Sequence, residues 1–148
     1  MKKIVNVVIA YVMWIVDLGM ALLLLIMSRT ALLNFLGLFY AKNSVQYQYR
    51  VGFIDKIFTL GLGLGWLAFV IFTEQYFRRG ASKGHLLKPF ARVTGPVLLG
   101  IFVVNLILLW LAGVGNSSWL SWLILAVELG GGIGLLVLEK SKFVNKST

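Results

Sequence analysis

The chain reads as an all-α integral membrane protein with four transmembrane helices, and three observations lead there. Hydrophobic residues make up 59% of the chain and its mean hydropathy is +0.91. Only five of its 148 residues are acidic, so long stretches run with few charges. Those stretches also have the length that spanning demands. A hydrocarbon core of roughly 30 Å takes about 20 helical residues, and Ile4 to Met27, Phe53 to Thr73, Val93 to Val114 and Trp119 to Leu138 each supply them. Helix is the default for such runs, because lipid offers no partner to a backbone N–H or C=O and each segment must satisfy its own. Residues 1–148 are then expected to form one transmembrane domain with no separate soluble domain.

The first span follows Lys2 and Lys3, as a secretory signal would. It outruns the roughly 7 to 15 apolar residues of a signal and lacks a small-x-small cleavage site, so it is expected to be retained. The connection after it, "SRTALLNFLGLFYAKNSVQYQYRVG", divides in two. Leu32, Leu33, Leu36, Phe39 and Tyr40 recur at helical spacing after a candidate cap at Thr30, which predicts a short helix. That helix is expected to lie in the outer interface, to extend the first span, or to dock on a neighbouring subunit. Val45, Tyr47, Tyr49 and Val51 alternate with polar residues, which predicts extended chain.

The second span continues into Glu74 and Arg78, an i, i+4 pair, before Gly80, Gly84 and Pro89 break it. Arg78, Arg79, Lys83, Lys88 and Arg92 surround this break and suit either lipid headgroups or a cytoplasmic docking partner. His85, the single histidine, reads as a solvated loop residue. The third span is expected to carry Pro96 in its first turn, where a missing N–H costs little. A short turn at Gly115 to Ser118 leads to the fourth span.

Charge orients the spans. Ten basic residues, Lys2, Lys3, Arg78, Arg79, Lys83, Lys88, Arg92, Lys140, Lys142 and Lys146, fall on one side, against Arg29, Lys42, Arg50 and Lys56 on the other. Cytoplasmic segments hold the excess of Lys and Arg, so both termini are expected in the cytoplasm. The net charge of +9 flanks apolar spans instead of forming a soluble basic face, which points to anionic headgroups and away from nucleic acid.

Inside the spans, "VDLGMALLLL" from Val16 and "VELGGGIGLL" from Val127 each embed one acid, Asp17 or Glu128. The similarity covers about ten residues and does not amount to a duplicated fold. Counting from the centre of each run sets Asp17, Asn105 and Glu128 at one level, an intramembrane polar layer, beside the bare backbone of Gly61, Gly63 and Gly65. An acid at mid-span disfavours insertion by roughly 2.5 to 3.5 kcal/mol, so both acids should face protein or water. Arg29 is twelve residues from Asp17, about 18 Å along a helix, which argues against an internal salt bridge. Three solutions remain open: neutral acids acting as hydrogen-bonded glue, acids facing a wet cavity or a cation, and acids meeting a basic residue of another chain. Gly61, Gly65 and Ala68 on the second helix and Gly130 and Gly134 on the fourth form small-residue stripes suited to close helix packing.

The chain has no cysteine, no histidine in a span, no nucleophile–base set and no phosphate-binding loop. "GLGLG" lacks the strand–turn–helix context of a dinucleotide site. Neither an enzyme nor a resident metal or cofactor is expected. Four short spans with an embedded glutamate are superficially similar to small multidrug transporters, which place that acid in the first helix and lack so long an outer connection, so no residue is carried over. Two functions fit: a small non-enzymatic subunit that stabilises or assembles a larger membrane complex, and a proton- or cation-coupled carrier working as a homo-oligomer through Asp17 and Glu128. The expected partners are membrane lipids, including anionic headgroups, and other membrane subunits or a second copy.

Overall fold

The computed structural model describes residues 2–39, 45–82, 87–113 and 118–144, which include four α-helices. These are α1 (Lys2–Phe39), α2 (Val45–Ser82), α3 (Leu87–Ala112) and α4 (Trp119–Val144). Each contains a stretch long and apolar enough to cross a membrane: Ile4–Leu38, Tyr49–Gly80, Pro89–Ala112 and Trp119–Lys140. Most large apolar side chains on them stand exposed, among them Ile4, Phe53, Phe72, Trp110 and Trp119. So much apolar surface suits lipid as the solvent, with Trp110 and Trp119 at one end of the α3–α4 pair where an interfacial aromatic belt belongs.

The helices run longer than the apolar runs alone suggest. α1 and α2 have 38 residues each, about 57 Å at 1.5 Å per residue, against about 39 Å for the 26 residues of α3 and α4. Of the placements expected for the segment after Thr30, extension of the first span is the one observed: α1 continues without a break to Phe39, and Thr30 is no cap, because its hydroxyl donates to the Ile26 carbonyl at 3.0 Å inside the helix. The stretch from Val45 that was expected to be extended is the beginning of α2, since the period-two alternation is short and the helix of the apolar run propagates through it. Pro96 is not in the first turn: α3 begins at Leu87, so the proline lies in the helix interior and removes the N–H that would bond the Arg92 carbonyl. Lys83 and His85 lie outside the described residues.

The four helices form two antiparallel hairpins, α1–α2 and α3–α4, joined mainly through α1 and α3. Among the described residues α4 touches α3 alone, so this is an open array and not a closed bundle. Register follows from particular contacts. A Cβ added to Gly100 of α3 would meet Leu24 Cδ2 of α1 at 2.9 Å, and the Thr94 hydroxyl reaches Asp17. On that register α1 begins about eight residues before α3, roughly 12 Å, at the end of the molecule where α1 starts and α4 finishes. We call this the near end and its opposite the far end. The buried residues Ala10, Asp17, Thr73, Phe77, Ala91 and Thr94 concentrate in the near half, where α1, α2 and α3 meet.

Close packing within the chain uses different glycines from those the stripes suggested. Gly61, Gly65, Gly130 and Gly134 have nothing within 4 Å of an added Cβ, and Ala68 is exposed. The α3–α4 contact is made by Gly95 and Gly132: a Cβ on Gly132 would lie 2.9 Å from Leu99 and 3.4 Å from the Gly95 carbonyl. A GxxxG spelling shows that two glycines share a helix face; it does not say which neighbour that face meets. Gly132→Leu is expected to destabilise the fold by about 1–3 kcal/mol through overpacking. Gly65→Ala should be neutral or slightly stabilising, by up to about 1 kcal/mol of helix propensity. Reversible unfolding in mixed micelles measures both.

Candidate functional site

Hydroxyls on apolar helices satisfy themselves by bonding back one turn, as Ser28 does to the Leu24 carbonyl at 2.7 Å and Thr73 to the Phe69 carbonyl at 2.6 Å. Thr94 departs from that habit. Its hydroxyl donates across the α1–α3 interface to Asp17 Oδ1 at 2.5 Å. Asp17 has no exposed surface and Thr94 only 3%, so the bond is sealed between the hairpins. Asp17 Oδ2 is buried and has no partner among the described residues. One turn nearer the start of α1, the Trp14 indole donates to Thr73 Oγ1 at 3.1 Å, linking α1 to α2 at nearly the same level.

The second embedded acid lies elsewhere. The Asn105 side-chain amide donates to Glu128 Oε1 at 2.7 Å, joining α3 to α4, while Glu128 Oε2 is buried and unpartnered. Thr94 and Asn105 are three turns apart on α3, about 16 Å. Asp17, Asn105 and Glu128 are therefore not one layer: Asn105 and Glu128 are brought together, and Asp17 sits on the near side of them. Run centres mislead because α1 extends well past Met27 and α3 begins at Leu87, six residues before Val93, and both shifts displace the true middles.

A residue pair that sequence reading missed completes the far level. Arg29 grips Asp55 through two hydrogen bonds, Nε to Oδ1 and a terminal guanidinium nitrogen to Oδ2, each 2.7 Å. Arg29 is five residues beyond Leu24 and Asn105 five beyond Gly100, so on the α1–α3 register both pairs share a level. Each hairpin thus carries its own polar clasp toward the far end, and Asp17–Thr94 ties the hairpins together toward the near end. Asp55 was legible in principle, because Arg29 and Asp55 stand two residues outside Met27 and two residues inside Phe53, nearly symmetric about the connection of an antiparallel pair.

The basic cluster is divided by the helices that carry it. Arg78 faces Glu74 at 3.8 Å and lines a groove of about 260 Å³ between α1 and α2 with Tyr11 and Trp14. Arg79 and Arg92 line a different groove, about 390 Å³, between α2 and α3. Arg92 also reaches Tyr76 Oη at 3.3 Å and Glu139 at 3.6 Å. Lys88 occupies the first turn of α3. Neither groove is lined by Asp17, Asn105 or Glu128.

These features define a class: an all-helical chain with four helices long and apolar enough to span a membrane, the architecture of a multi-pass membrane protein. Comparison of the chain with protein-family models, with curated proteins and with solved structures gives no match.

The Asp17–Thr94 bond makes a quantitative prediction. Thr94→Val removes the one donor that the described residues offer to a fully buried carboxyl and should cost about 1–3 kcal/mol of stability. The double change Asp17→Leu with Thr94→Val should recover most of that loss, because no polar group is then left unsatisfied. A double-mutant cycle on unfolding in micelles checks it.

Proposed function

We propose that the chain is a small non-enzymatic integral membrane subunit that stabilises or assembles a larger membrane complex. The observation that carries this reading is the bare backbone of Gly61 and Gly65 on α2 and Gly130 and Gly134 on α4, where none of the described residues of neighbouring helices comes within 4 Å of an added Cβ. Small residues let helix backbones approach closely in lipid, where no hydrophobic effect drives association. The embedded acids support it as well: each is spent on an interhelical hydrogen bond, and neither lines a groove. The carrier reading asks for Asp17 and Glu128 in one accessible site, and their separation in level weighs against it. In this proposal both termini face the cytoplasm, because the basic residues gather at the near end while Arg29 is tied to Asp55.

Gentle extraction from the native membrane followed by native mass spectrometry tests the proposal. The expected mass contains this chain with different subunits, and Gly65→Leu lowers the fraction assembled without lowering the amount of folded chain. A mass made only of copies of this chain, together with proton-coupled flux lost in Glu128→Gln, would overturn it in favour of the carrier.

A further inference from the structure

The groove between α2 and α3 combines basic, polar and apolar walls. It lies at the near end, beside Arg79, the penultimate residue of the apolar stretch Tyr49–Gly80, and Arg92, close to the start of the stretch Pro89–Ala112. Both residues thus stand near the near-end limits of their apolar stretches. The same groove has apolar walls: Phe72 and Val93 line it, and Phe72 is seven residues, about 10 Å, from Arg79 along α2. Gln75 and Tyr76 supply polar groups.

Charge counting identifies the occupant. Arg92 is shared with Glu139 at 3.6 Å, while Arg79 makes no ion pair among the described residues. Two guanidiniums and one carboxylate leave a single positive charge, which matches one phosphodiester. Guanidiniums present planar forks of N–H donors suited to phosphate oxygens, and basic pockets between membrane helices bind anionic headgroups. We propose that this groove is a discrete site for one anionic phospholipid, its phosphate held by Arg79 and Arg92 and the upper part of an acyl chain laid along Phe72 and Val93. This differs from diffuse attraction of every basic residue to the membrane surface, since Arg78, one position away in sequence, lines the other groove and faces Glu74. It also stands independently of the subunit proposal.

The test is lipid retention by the full chain in phosphatidylcholine nanodiscs carrying a minor fraction of phosphatidylglycerol, read by native mass spectrometry after release. One phosphatidylglycerol per chain is expected to persist, with Arg79→Gln and Arg92→Gln each weakening it about fivefold and Arg78→Gln leaving it unchanged. Because Arg92 also pairs with Glu139, Arg79→Gln decides the matter if the Arg92 variant unfolds. Equal loss from Arg78→Gln, an unchanged Arg79→Gln, equal retention of phosphatidylcholine, or displacement of the lipid by inorganic phosphate would each overturn the site.

Discussion

The hydrogen bond from Thr94 to Asp17 is the constraint on which the rest of the array depends. A carboxyl sealed from both water and lipid must keep its donor, since a buried group left unpaired carries its full desolvation penalty. Holding Thr94 against Asp17 fixes α3 against α1, and that places Gly100 under Leu24 and raises Asn105 to the level of Arg29. Once this register is set, the level of one clasp relative to the other follows from helix geometry. In lipid no hydrophobic effect drives helices together, so interhelical hydrogen bonds and close packing, such as Leu24 against Gly100, hold the register.

The division of labour among the polar groups has a physical logic. Arg29–Asp55 and Asn105–Glu128 act within hairpins whose helices are already joined by short connections, so they set alignment more than association. Asp17–Thr94 acts between hairpins, where the covalent chain gives the least help. Small residues follow the same plan. Gly95, Gly100 and Gly132 are used inside the chain to bring α3 against α4 and α1, which leaves the glycines of α2 and the flanking glycines of α4 for surfaces the chain does not cover.

Much of this was legible in the sequence and some was not, for reasons that attach to particular residues. Apolar length located the four helices, and the cost of a charge in lipid required Asp17 to face protein, as its full burial bears out. Depth was not legible. The ends of an apolar run mark where charges begin, not where a helix stops, and α1 carries Arg29 well inside its length by pairing it with Asp55. Thr94 escaped notice because it stood at the margin of the counted span and threonine is unremarkable in a membrane helix. Yet Thr94 and Asn105 are the polar uncharged side chains of the third span, and the acids of the first and fourth spans match them one for one. The glycine stripes were seen as stripes, but a letter pattern carries no information about which neighbour a face meets.

The register of α1 against α3 is the claim that most needs a direct test, and the absence of cysteine makes it clean, because any introduced pair is the only pair. Cross-linking in native membranes with a short bifunctional thiol reagent should join the two helices in a Leu24→Cys/Gly100→Cys chain and fail in a Leu24→Cys/Ala112→Cys chain. The reverse result would set Asp17 level with Asn105 and Glu128, about 16 Å from where the Thr94 bond holds it, and would contradict the account.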